Sequence, residues 1–155
     1  MEAFLHDNIE EYIDTQVDYV LAVEFRDIGL KLIDSTSKSV TIQDRRFRSH
    51  FGLNWVQASI VWQGVYPDVL NYYARKKPPK KHLFFALRFL KTYDTEMNGA
   101  SFFKCDEKTL RNWTWKYVEA IALLEGEKVR KKNCLILFNF ISHSYHFVIS
   151  SFLNI

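Results

Sequence analysis

From Leu83 to Leu124 apolar side chains return every three or four residues, and the pattern breaks only at Tyr93-Asp94 and at Cys105-Asp106. That period belongs to the α-helix and not to the strand. It predicts three consecutive helices, over 80–93, 95–104 and 107–125. Thr95 and Asp106 supply the side-chain oxygens that cap the second and third, and Gly126 is the expected end of the last. The middle helix is the weakest, because Asn98 and Gly99 sit inside it. With only five glycines and three prolines in 155 residues, a turn-rich all-β fold is disfavoured. A short helix, a tight turn and a longer helix make helix-turn-helix organisation. The fold expected is therefore all-α: a helical bundle with a trihelical helix-turn-helix-like core, and a C-terminal tail that is irregular, hairpin or helix.

Upstream, Leu5, Ile9, Tyr12, Ile13, Val17, Val20 and Leu21 lie on one stripe of an acidic amphipathic helix. The stripe needs either this protein's core or another chain. Residues 1–33 form this N-terminal region, and the Ser- and Thr-rich 34–44 reads as a linker. The helical domain is expected over 45–125. Within it Asn54 caps a helix that places Val56, Ile60, Trp62 and Val65 roughly on one side, and Pro67 closes it. "NYYARKKPPKK" is a basic loop that Pro78 and Pro79 stiffen into a connector.

The third helix has two unlike sides. Leu110, Trp113, Tyr117, Ile121 and Leu124 form the inner face, and Lys108, Arg111, Asn112, Trp115 and Lys116 the other. A helix lying in a major groove needs cations for phosphate, Arg and Asn for base edges, and an apolar back held by its neighbours. The alternative is any three-helix bundle with a solvated polar face. Charge is also divided. Residues 1–27 carry eight acids against one arginine, whereas the rest carries twenty bases against ten acids. A basic body favours polyanions through counterion release. The candidate groove contacts are Lys108, Arg111, Asn112, Trp115 and Lys116, and the candidate phosphate contacts are Arg45, Arg46, Arg48, Lys76, Lys77, Lys80 and Lys81. Asp94, Glu96, Asp106 and Glu107 stand at helix starts, where the helix dipole suffices to explain them.

The segments "DRRFRSHFGLNWVQASIVWQGVYPD", "PPKKHLFFALRFLKTYDTE" and "CDEKTLRNWTWKYVEAIALLE" resemble the N-terminal region of Harbinger-like DDE transposases, over roughly residues 44–125. The resemblance lies in the order of Arg46-Phe47-Arg48, Lys81-His82-Leu83 and Asp106-Glu107-Lys108-Thr109, followed by Trp113 and Trp115. It implies a helix-turn-helix module that holds transposon-end DNA, followed in the family by an RNase H-like domain with an Asp-Asp-Glu metal triad. The 30 residues after Glu125 contain no aspartate. Two-metal phosphoryl transfer needs carboxylates on a rigid sheet, which so short a segment does not build. DNA binding is carried over and catalysis is not. The expectation is a transposase-derived DNA-binding fragment without nuclease activity, nuclear if it binds DNA.

Residues 126–155 comprise a basic flank and an uncharged apolar tail, taken as lying outside the fold. The tail, 133–155, has three readings. It is long enough for a membrane anchor, but "NFISHSYH" puts five polar residues at its centre. It has the β-branched and aromatic content of a hairpin. Its residue types are mostly those of A/T-rich codons, and translated non-coding sequence is the reading adopted, with the anchor second. His143 and His146 share a helical spacing but find no third ligand. No cofactor or metal is expected, and Cys105 and Cys134 form no metal or disulfide framework. Double-stranded DNA is the expected partner. The alternatives are a small tail-anchored or protein-interaction protein, whose acidic N-terminal helix binds a basic partner, and a relic of a mobile element without function.

Overall fold

The computed structural model describes residues 19–73 and 76–128, with side chains as far as Leu124. Every regular element among them is a helix. The order is α1 (described over 19–32), α2 (Val40–Phe51), α3 (Trp55–Leu70), a 3-10 turn (Asn71–Tyr73), α4 (Lys81–Thr92), α5 (Glu96–Phe103) and α6 (Glu107–Lys128). The molecule is an all-α bundle with one packed core.

Local chemistry sets most boundaries. Asn54 and Gln57 form a reciprocal capping box at the start of α3: the Asn54 side chain accepts from Gln57 N at 2.7 Å, and Asn54 N donates to Gln57 Oε1 at 2.9 Å. Thr95 Oγ1 accepts from Asn98 N, and Asp106 Oδ1 accepts from Thr109 N at 2.8 Å. Gly52 ends α2 in the left-handed region at φ 80°, which glycine adopts without steric cost.

Several expected boundaries move. The linker is shorter than 34–44, because α2 begins at Val40. Phe47 and Phe51, one turn apart, are both fully buried, and that burial outweighs the weak helix propensity of the Ser- and Thr-rich approach. Pro67 does not close α3, which runs to Leu70. Proline forfeits one backbone bond, but Val65 and Val69 lie on either side of it in one buried stripe. Gly126 does not end α6, which continues to Lys128. Two apolar faces also differ. Val56 and Ile60 are exposed, whereas Trp62 and Val65 are buried as expected, together with Ala58, Val61 and Val69. Val20, placed on the inner stripe of the first helix, is 64% exposed. The rest of that stripe before residue 19, and the whole tail with its His143-His146 pair, lie outside the described residues.

The core is aromatic, and its hub is Phe84 of α4. Its ring centroid lies 5.7 Å from Phe25 of α1, and 5.9 and 4.7 Å from Phe47 and Phe51 of α2. Phe25 also meets Trp62 of α3, and Trp62 stacks on Tyr117 of α6. Thus α1 shares the core of the later helices. Glycine is required where α1 meets α2, since a Cβ on Gly29 would overlap the Phe47 ring. At Gly99 a Cβ would stand 2.8 Å from Leu110 Cδ2, so its absence lets α5 approach α6 closely. The glycine that weakens α5 as a helix is what seats it.

Candidate nucleic-acid interface

The α5–α6 turn is three residues, Lys104 to Asp106. Lys104 adopts φ 53°, the left-handed conformation that reverses the chain out of α5, and Cys105 N donates to Ala100 O at 3.0 Å. α4 supports the pair from behind. Lys81 Nζ donates to Phe103 O at 3.0 Å and satisfies the C-terminal end of α5. Leu110, Tyr117, Ile121 and Leu124 are buried, as expected, together with Thr114, Val118 and Ala120. Trp113, expected on this face, is only half-buried and borders the outer depression, and the buried face extends further than expected at Thr114, Val118 and Ala120.

The outer side of α6 is open over its first two turns. Lys108, Arg111 and Asn112 are exposed and border one shallow depression with Thr109, Trp113 and Trp115. At 3.6 residues per turn, Lys108 and Asn112 lie at the crest, and Arg111 and Lys116 on opposite flanks. Arg111 faces α5, where Glu96 takes its Nε at 2.6 Å and its Nη2 in a bidentate pair. This pair holds the Glu96 carboxyl below its usual range. Lys116 faces the other way and is half-buried, with Nζ 4.3 Å from the Trp113 ring centroid and 5.4 Å from that of Tyr72. Trp115 was expected to reach outward. It is half-buried, its ring edge-on to Phe89 of α4 at 5.3 Å, and it walls a cavity of about 50 Å3 between α4, α5 and α6. An indole has too much apolar surface to stay in water while Phe89 is in reach.

The flanks carry further cations. Trp113 stacks on Tyr73 at 4.1 Å and 10°, and Tyr73 O accepts from Lys76 N at 2.8 Å, which ties the exposed Lys76 and Lys77 to the Lys116 flank. Beyond the Arg111 flank, Arg88 Nε pairs with Asp94 at 2.8 Å, and its Nη1 donates to His50 Nδ1 at 2.9 Å. Its guanidinium covers Phe102, and His50 stacks on the same ring. His50 is held neutral by burial first, and then by the charges of Arg88 and Arg46. Arg46, one turn before His50 on α2, lies near enough to this junction for its charge to lower His50. Arg45 and Arg46 are exposed and make no ion pair among the described residues. Arg48 is exposed but pairs with Asp44 at 2.7 Å.

Two expected phosphate contacts are committed elsewhere. Lys80 Nζ lies 2.6 Å from Glu24 of α1, and its side chain is only 13% exposed. Lys81 is the cap on α5 already described. Both tie elements of the fold together, through partners that neighbouring sequence does not reveal. Three residues were missed. Glu96 stands in the first turn of α5 and Asp94 just before its cap, as expected for a helix dipole, but each also grips an arginine. Lys104, exposed on the turn, could have been found from its place at the helix-turn-helix break.

Comparison with family models, with curated proteins and with solved structures returned no match. Among the described residues no group of three or more potential metal ligands occurs, and no helix is long and apolar enough to cross a membrane.

Proposed function

We propose that this chain is a double-stranded DNA-binding module of helix-turn-helix type, derived from a Harbinger-like transposase, that works in the nucleus and performs no strand cleavage itself. The observation that carries the reading is the front of α6. Its first two turns expose Lys108, Arg111 and Asn112, while α4 and α5 hold its back. A helix seated in a major groove lies between two phosphate backbones, so it benefits from cations on both sides. Lys76, Lys77 and Lys116 supply one side, and Arg45 and Arg46 the other. Arg48 stands with the latter once its exposed pair with Asp44 opens. The neutral amide of Asn112 suits an adenine edge, where donor and acceptor are both required.

The test is titration of the full chain with duplex DNA over a salt series. Log affinity falls steeply with log salt if several phosphates are contacted. Arg111→Ala weakens the best-bound duplex more than random duplex. Equal affinity at low and high salt ends the reading.

A further inference from the structure

We infer that Arg111 reads a guanine and that Glu96 is the positioning residue that aims it. The inference rests on the groove-binding reading above and adds the base and the mechanism of its selection.

A guanidinium has two bidentate edges. Glu96 occupies the side edge, taking Nε on one carboxylate oxygen and Nη2 on the other. The end edge, formed by Nη1 and the outer hydrogen of Nη2, makes no hydrogen bond among the described residues, and Glu107, one turn earlier on α6, acts on Arg111 through its charge alone. That end edge matches the O6 and N7 acceptors of guanine in the major groove. The carboxylate therefore orients the arginine without blocking its reading edge. Both side chains remain open to solvent, at 55% and 40% exposure, so the fork sits at the surface where a base edge would arrive.

The mounting of Glu96 is rigid. It is the first residue of α5, directly after the Thr95 cap, and Gly99 lets α5 seat tightly on Leu110 one residue before Arg111. Arginine otherwise loses much rotamer freedom on binding, and a fixed partner removes that loss beforehand. Glu96 also repels phosphate. It weakens contacts that do not place guanine at Arg111, and so widens the gap between right and wrong sequences.

The experiment uses the full chain as wild type, Glu96→Gln and Arg111→Lys, with equal thermal midpoints confirming the fold. Each protein selects from a randomised duplex library. The best duplex is then titrated against versions in which the selected guanine becomes adenine or 7-deazaguanine. Wild type selects one guanine and loses about tenfold or more in affinity on either change. Glu96→Gln loses most of that discrimination while its affinity for random duplex is unchanged or raised. Arg111→Lys keeps the charge and the salt slope but also loses the discrimination. Undiminished guanine preference in Glu96→Gln overturns the inference. Salt-dependent duplex binding with no guanine selected overturns it too and leaves groove binding standing, whereas no salt-dependent binding at all overturns both.

Discussion

Tyr73 Oη lies 2.6 Å from His82 Nδ1, and both rings stack on Trp113 of α6. With the imidazole neutral, the phenol donates to Nδ1 and the ring proton sits on Nε2. Burial, followed by the charge of neighbouring Lys81, depresses His82 to about 4 from 6.5. The unfolded chain then binds a proton that the folded chain refuses, so stability is full above pH 6.5 and is lost as pH falls toward 4. His50, also lowered, acts in the same direction. Urea unfolding across this range loses about 2 kcal/mol, less than the full linkage value because solvent reaches the ring. His82→Phe flattens most of the slope, and His50, with the lowered Glu96 and Asp106 carboxyls at the acid end, retains the remainder.

Gly29 lies beneath the Phe47 ring, where no Cβ fits. Phe47 is fully buried against Phe51, Trp55 and Phe84 and cannot swing aside. Gly29→Ala forces α1 away from α2 and costs about 3 kcal/mol, despite alanine's better helix propensity. Thermal or chemical denaturation reads the loss. A gain in stability would mean that the α1–α2 contact is looser than this.

Lys104 adopts a left-handed conformation that its Cβ disfavours, and its side chain is exposed. Lys104→Gly relieves that strain and raises stability by about 1 kcal/mol, seen as a higher thermal midpoint.

Lys80 and Lys108 bear the same charge in different settings. Lys80→Ala removes the ion pair to Glu24 and costs up to about 1 kcal/mol of stability, with the salt slope of DNA binding unchanged. Lys108→Ala leaves stability within about 0.5 kcal/mol and lowers the slope by about one. Reversed results would place Lys80 at the interface and Lys108 in the fold.

The capped helix starts at Asn54, Thr95 and Asp106 were legible because each cap bonds a residue three positions onward. The inner face of α6 was legible for a similar reason, since 3.6-residue periodicity is written in neighbours. Pro67 and the stretch 34–44 misled because their local preferences were overruled by burial of Val65, Val69, Phe47 and Phe51. Trp115 misled because a residue near the crest of a helix can still lean onto an aromatic ring of another helix.

By itself the sequence determined that this chain is helical, where its main turns fall, and that α6 has one wet and one dry side. Those properties arise within a few residues of chain. Only the tertiary structure decided which cations stay available. Arg111 meets Glu96 across 15 residues, Arg88 meets His50 across 38, and Lys80 meets Glu24 across 56. Charge is a property of the residue, but its neutralisation depends on what packing brings within about 3 Å, and separation along the chain carries no record of that.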